Sequence, residues 1–158
     1  MSRLPGQQLG EAWPRMGEEA RTRTAQELRP YLQQLRHLRA PPDSPYALGS
    51  CYGGPVYDHR LSNRETYGPF ASIRDFNDFL AAPVKKCPRP DCVEKYRSQL
   101  PDDYGAVFSH ADLSVENILV DAVSGSITGI VDWEMVGFWP EWWEYRKALF
   151  GSRTEHAW

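Results

Sequence analysis

The sequence predicts an α+β fold that is mainly helical and carries one β-hairpin towards its C-terminal end. Three observations predict it. Ala25, Leu28, Leu32, Leu35 and Leu38 recur at three- and four-residue spacing between Arg, Gln and Glu, the period of an amphipathic helix. Two short β-rich runs, Ile118-Leu119-Val120-Asp121 and Ile127-Thr128-Gly129-Ile130-Val131, flank a stretch that suits a turn. Thirteen prolines and 12 glycines cluster in residues 1–14, 40–55 and 83–101, which predicts long irregular connections.

Taken in order, residues 1–17 read as loop, with Pro5-Gly6 and Trp13-Pro14 as breakers. A helix of about five turns follows over residues 18–38. Pro30 should kink it or mark where two shorter helices meet, and Ala40-Pro41-Pro42 stops it. Residues 39–71 have neither period and read as a long loop. Ser72 looks like an N-cap, with Asp75 three positions on, for a short helix whose apolar residues are Ile73, Phe76, Phe79 and Leu80. Pro83 ends it. A second short helix spans Asp91 to Leu100, before Pro101-Asp102-Asp103 breaks the chain. The two β-rich runs then pair across Ala122-Val123-Ser124-Gly125-Ser126, where Gly125 supplies the positive φ of a tight turn. A turn centred on Ser124-Gly125 sets Ile118 opposite Val131 and Asn117 opposite Asp132.

Composition narrows the function. The 158 residues are about one domain long, 41% hydrophobic and 25% charged. A formal charge of -3 argues against a nucleic-acid-binding module, which shows a basic excess. No apolar run approaches the roughly 18 residues of a membrane span, and the N-terminal residues lack the apolar stretch of a secretory signal. Three cysteines, Cys51, Cys87 and Cys92, are too few for a disulfide scaffold, so a reducing, cytoplasmic setting is expected. Cys87 and Cys92 are spaced like half a zinc site, but no second paired motif completes four ligands. Six tryptophans, four of them between Trp133 and Trp143, predict an aromatic cluster with at least two members buried.

The residues that point to chemistry stand just before and after the hairpin. His110-Ala111-Asp112-Leu113-Ser114-Val115-Glu116-Asn117 precedes the first strand, and Asp132 follows the second. Asn117 and Asp132 offer hard oxygens to a divalent cation such as Mg²⁺. Asp112, held on the same loop, can accept a proton from a substrate hydroxyl. These are the parts of a kinase catalytic loop.

The run from His110 to Asp121, followed by Ile130-Val131-Asp132-Trp133-Glu134, closely resembles the aminoglycoside phosphotransferase/choline kinase-like family. Leu4-Pro5-Gly6-Gln7-Gln8-Leu9 resembles the stretch after that family's nucleotide hinge. Leu48-Gly49-Ser50, Gly53-Gly54-Pro55, Asp58-His59-Arg60 and Gly68-Pro69-Phe70 look like its middle loops. Pro140-Glu141-Trp142-Trp143-Glu144-Tyr145 looks like the segment after its metal-binding Asp.

The resemblance implies a kinase-like C-terminal lobe with a catalytic loop and hairpin over residues 110–134 and the N-terminal lobe absent. It implies an ATP- and Mg²⁺-dependent transfer of phosphoryl to a hydroxyl of a small molecule, with ATP binding and activity expected to be weak or lost in a chain without the nucleotide-binding lobe. Asp112 would be the base, Asn117 and Asp132 would hold the Mg²⁺ that bridges the nucleotide phosphates, and His110 would keep the loop in shape. Glu134 is a weaker candidate for touching metal or substrate. The four lysines, Lys85, Lys86, Lys95 and Lys147, do not fall in a strand of the kind that grips a nucleotide, and no glycine-rich phosphate loop precedes a strand. A second reading therefore stays open: a non-catalytic remnant that binds or regulates, with a protein partner over the face the small lobe would cover. Asp58-His59-Arg60 reads better as a loop-fixing hydrogen-bond network than as a substrate contact.

Overall fold

The computed structural model describes residues 4–40, 43–61, 65–82 and 90–152. Cys87 and Pro83 lie outside them. The elements run β1 (Gln7–Gln8), α1 (Leu9–Ala12), α2 (Glu18–His37), β2 (Val56–Tyr57), β3 (Thr66–Tyr67), α3 (Ile73–Ala81), α4 (Pro90–Ser98), β4 (Ala106–Ser109), β5 (Ile118–Val120), β6 (Ile127–Ile130), β7 (Gly137–Pro140) and α5 (Trp143–Ser152). They form an α+β fold whose strands make three small antiparallel sheets, in orders β1-β5-β6, β2-β3 and β4-β7. No helix among the described residues is long and apolar enough to cross a membrane.

Residues 1–17 are not simply loop. Gln7 and Gln8 pair with Val120 and Leu119, and Leu9 and Ala12 are buried on the short helix that follows. The pairing partner lies over a hundred positions away, so no local pattern announces it. The long loop of residues 39–71 likewise contains a two-residue ribbon, Val56↔Tyr67 and Tyr57↔Thr66.

Helix α2 is one continuous element with Pro30 inside it, rather than two shorter helices. Pro30 deprives the Gln26 carbonyl of its helical donor, and both residues sit on the exposed side, where that loss costs least. The helix buries less of its leucine stripe than the period suggests. Ala20 and Thr24 are its buried residues, Leu28, Leu32 and Leu35 are half-buried, and Ala25 and Leu38 are exposed. The hairpin turn docks near the start of the helix. Thr24 Oγ1 donates to Gly125 O at 2.7 Å, and a Cβ at Gly125 (φ 76°) would land on the Ala20 carbonyl. Gly125 is therefore required twice, for its backbone conformation and for the space it leaves.

Glu27 supplies a second tie. Its Oε2 accepts the Ile127 backbone N–H at 2.9 Å, and that bond, with Arg23 beside it, lowers the Glu27 pKa below the ordinary 4.5. Because the folded value is depressed, the carboxylate's contribution is complete above the unfolded value and disappears as pH falls through the folded one. Glu27→Ala is expected to cost about 1 kcal/mol at neutral pH and far less near pH 2. Urea unfolding of both proteins at the two pH values checks this.

Ser72 caps α3, its Oγ accepting the Asp75 N–H at 3.1 Å. The hairpin differs in register from the one expected. Ile118 pairs with Ile130, and Leu119 with Gly129, before a shift sets Val120 opposite Ile127. The cause lies in the turn. Asp121 O accepts from Gly125 N at 2.8 Å, and Asp121 N donates to Ser126 O at 2.9 Å, closing a four-residue loop. Asp121 Oδ1 holds it by accepting from Ser124 N at 2.8 Å, Ser124 Oγ at 2.8 Å and Val123 N at 3.2 Å. A side chain thus moved the centre of the turn.

Two apolar clusters organise the packing. One joins Leu9, Ala12, Met16 and Ala20 to Leu113, Val115, Ile118 and Val120 under the hairpin. The other joins Leu48, Val56, Ile73 and Phe76 to Ala111, Met135, Trp139 and Trp143. Trp139 and Trp143 are buried and stack with centroids 5.4 Å apart, Phe76 meeting both edge-on. As expected, at least two of the four clustered tryptophans are core, whereas Trp133 is exposed.

Candidate active site

The segment 110–117 is pinned from both cores. Ala111 belongs to the aromatic cluster, and Leu113 and Val115 belong to the cluster under the hairpin. Asp112 therefore sits at the seam, with burial of its neighbours fixing its position. Strand β4 delivers the chain to this point, and its partner β7 pairs with it over four residues, Ser109↔Gly137 among them.

His110 is fully buried. Its Nδ1 lies 3.2 Å from the Asp112 N–H, which must donate, so Nδ1 accepts. In the neutral ring Nε2 then carries the proton and donates to Val131 O at 2.9 Å. The imidazole also packs on Trp133, with centroids 4.5 Å apart. One side chain thus ties the Asp112 loop to the residues on either side of Asp132.

Ala111 (φ 63°) and Asp132 (φ 64°) are the positive-φ non-glycine residues among those described. Each such conformation costs on the order of 1 kcal/mol and persists only where its surroundings hold it. At Ala111 the hold is visible: its N–H donates to Glu144 Oε2 at 3.1 Å. Both conformations flank the candidate site.

Asn117 Nδ2 donates to Asp112 O at 2.8 Å and to Asp112 Oδ2 at 3.0 Å. Both partners are acceptors, which fixes the amide's orientation and leaves Asn117 Oδ1 as a hard oxygen donor. Val131 N donates to Asn117 O at 2.9 Å. Asn117 therefore lies opposite Val131, with Asp132 the next residue, instead of directly opposite Asp132. Asp132 and Glu134 are exposed. No group of three or more His, Cys, Asp or Glu that can hold a metal occurs among the described residues. The donors Asn117 Oδ1 and Asp132 nonetheless suit Mg²⁺, which takes one or two protein ligands and completes its shell with water and phosphate oxygens.

The two oxygens of Asp112 differ. Oδ1 is buried and has no hydrogen-bond donor among the described residues, although Arg60 Nη2 stands 3.3 Å away as an ion pair. The contact supplies charge without the alignment of a hydrogen bond. The side chain as a whole is 12% exposed, and Oδ2 is the oxygen that carries a hydrogen bond, from Asn117 Nδ2. Arg60 is anchored in turn: its Nη1 donates to Lys147 O at 3.1 Å, and its N–H donates to Asp58 Oδ1 at 2.9 Å. Lys147 Nζ donates to Asp58 Oδ2 at 2.5 Å, with both residues buried. Burial pushes the Lys147 pKa down, and the Asp58 carboxylate opposes that shift.

The structure thus brings together His110, Asp112 and Asn117 and places Asp132 at the adjoining hairpin end. Asp58 and Arg60 behave as the loop-fixing network the sequence suggested. Glu144 and Lys147 carry no sequence signal for this role beyond their spacing of three on α5, which puts both on one helix face.

A loop aspartate, an amide locked to it and a second aspartate after the returning strand are the residues on which the sequence resembles a kinase-like phosphotransferase family. The sequence model of the phosphotransferase enzyme family matches residues 1–155, and the chain belongs to that family, the aminoglycoside phosphotransferase/choline kinase-like group of the protein-kinase-like superfamily. No curated protein matches the chain.

Proposed function

We propose that the chain is an ATP- and Mg²⁺-dependent phosphotransferase whose acceptor is a hydroxyl of a small molecule, acting in the cytoplasm. The observation that carries this reading is the double hydrogen bond from Asn117 Nδ2 to Asp112. It presents an acceptor-facing carboxylate and a metal-facing amide oxygen from one loop. Asp112 Oδ2 receives the hydroxyl proton as the substrate's hydroxyl oxygen attacks the γ-phosphorus, and the bond from phosphorus to the β,γ-bridging oxygen breaks, releasing ADP. Asn117 and Asp132 would hold Mg²⁺, which neutralises charge on the phosphates when bound. His110 keeps the loop and the Asp132 turn in register. The described residues correspond to the C-terminal-lobe side of such a site: the described lysines, Lys95 and Lys147, stand on helices and not on a strand.

Titration calorimetry tests this reading. ATP is expected to bind only with Mg²⁺, and Asp132→Ala is expected to weaken that binding at least tenfold. A folded chain that ignores Mg·ATP sinks it and favours a non-catalytic module that meets a protein partner instead.

A further inference from the structure

We propose that Arg60 is a positioning residue for Asp112, braced by the buried Asp58–Lys147 pair, an inference that rests on Asp112 being the base. The two oxygens of Asp112 are held differently. Asn117 orients Oδ2 at 3.0 Å, and Oδ1 is buried without a donor among the described residues. A buried carboxylate oxygen lacking hydrogen bonds needs charge compensation, and the guanidinium 3.3 Å away provides it. Were that charge removed, Oδ1 would turn outward towards solvent. The rotation carries Oδ2 away from the place where it can accept a hydroxyl proton.

The brace explains why Arg60 stays in place. It comes from a loop, where side chains are ordinarily mobile. Here its backbone is held by Asp58 and its guanidinium by the Lys147 carbonyl, while the Lys147 ammonium closes the circuit onto Asp58. Helix α5 grips the catalytic loop from two sides, through Glu144 on Ala111 and through Lys147, Asp58 and Arg60 on Asp112. A chain of direct contacts therefore links a middle loop to the base.

The test uses the 158-residue chain and its Arg60→Ala, Arg60→Lys and Asp112→Asn variants, with Mg·ATP as the probe and Mg²⁺-dependent ADP release as turnover. Arg60→Ala is expected to lower turnover about a hundredfold, the scale of a misplaced catalytic group, while its Mg·ATP Kd stays within twofold. Arg60→Lys should recover part of the loss, and added methylguanidinium should restore Arg60→Ala but not Asp112→Asn. Separately, the fall in Tm caused by Arg60→Ala should shrink by at least half in the Asp112→Asn background, because the anion it compensates is gone.

Equal loss of turnover and Mg·ATP affinity, or unchanged turnover, overturns the positioning role. So does a Tm cost that is the same in both backgrounds. A parent chain that shows the Tm coupling but binds no Mg·ATP instead overturns the phosphotransferase reading, and the catalytic role of Arg60 falls with it.

Discussion

Asp112→Ala is expected to abolish phosphoryl transfer, lowering turnover by roughly 10²–10⁴-fold, the range a general base supplies, while Mg·ATP affinity changes little. Asp112 Oδ2 is aimed by the Asn117 amide at 3.0 Å, whereas Oδ1 is buried. Alanine removes the proton acceptor yet leaves His110, Asn117 and Asp132 in place. The variant should also fold, because the backbone at 112 keeps its bonds: its N–H to His110 Nδ1 and its carbonyl to Asn117 Nδ2. Turnover and calorimetric titration on the same preparation separate the outcomes. Undiminished turnover shows that Asp112 is not the base. Loss of Mg·ATP binding shows that it serves the nucleotide side.

The largest expected change in stability comes from Lys147→Met. Lys147 is 4% exposed and Asp58 is fully buried, and they are joined at 2.5 Å. Forming such a pair gains little net energy, because two charges leave water, but removing one partner strands the other. Lys147→Met should therefore cost about 3–5 kcal/mol, read as a lower urea midpoint with an unchanged slope. Adding Asp58→Asn should recover most of that loss. Asparagine carries no charge, yet its carbonyl can still accept the Arg60 N–H that Asp58 Oδ1 accepts at 2.9 Å. A Lys147→Met protein as stable as the parent, or a double variant no better than the single, would refute this account of the pair.

Local signals in the sequence were accurate where the physics is local. The Ser72 cap depends on residues three apart and formed as expected. The hairpin was legible from two β-rich runs about a turn, but its register was not. Four-residue closure by the Asp121 side chain shifted the pairing, so Asn117 lies opposite Val131. The β4-β7 pair, which delivers the chain to His110, joins segments more than 25 positions apart and neither segment shows a clean alternation to announce it. The leucine period of α2 marked a helix correctly. It overstated burial because the hairpin turn docks at Ala20 and Thr24, towards the helix start.

The sequence by itself determined the α+β class, the main helices and the hairpin, since these depend on periodicity, capping and short spacing, and it singled out His110, Asp112, Asn117 and Asp132 as candidates. Only the tertiary structure decided what holds them. The bond from His110 to Val131, the left-handed Ala111 gripped by Glu144, and the contacts of Lys147 with Asp58 and of Arg60 with Asp112 join residues 21 to 89 positions apart. A contact that distant leaves no period in the chain. It exists because two apolar clusters, closing on either side of Asp112, force the polar groups between them to find one another rather than water.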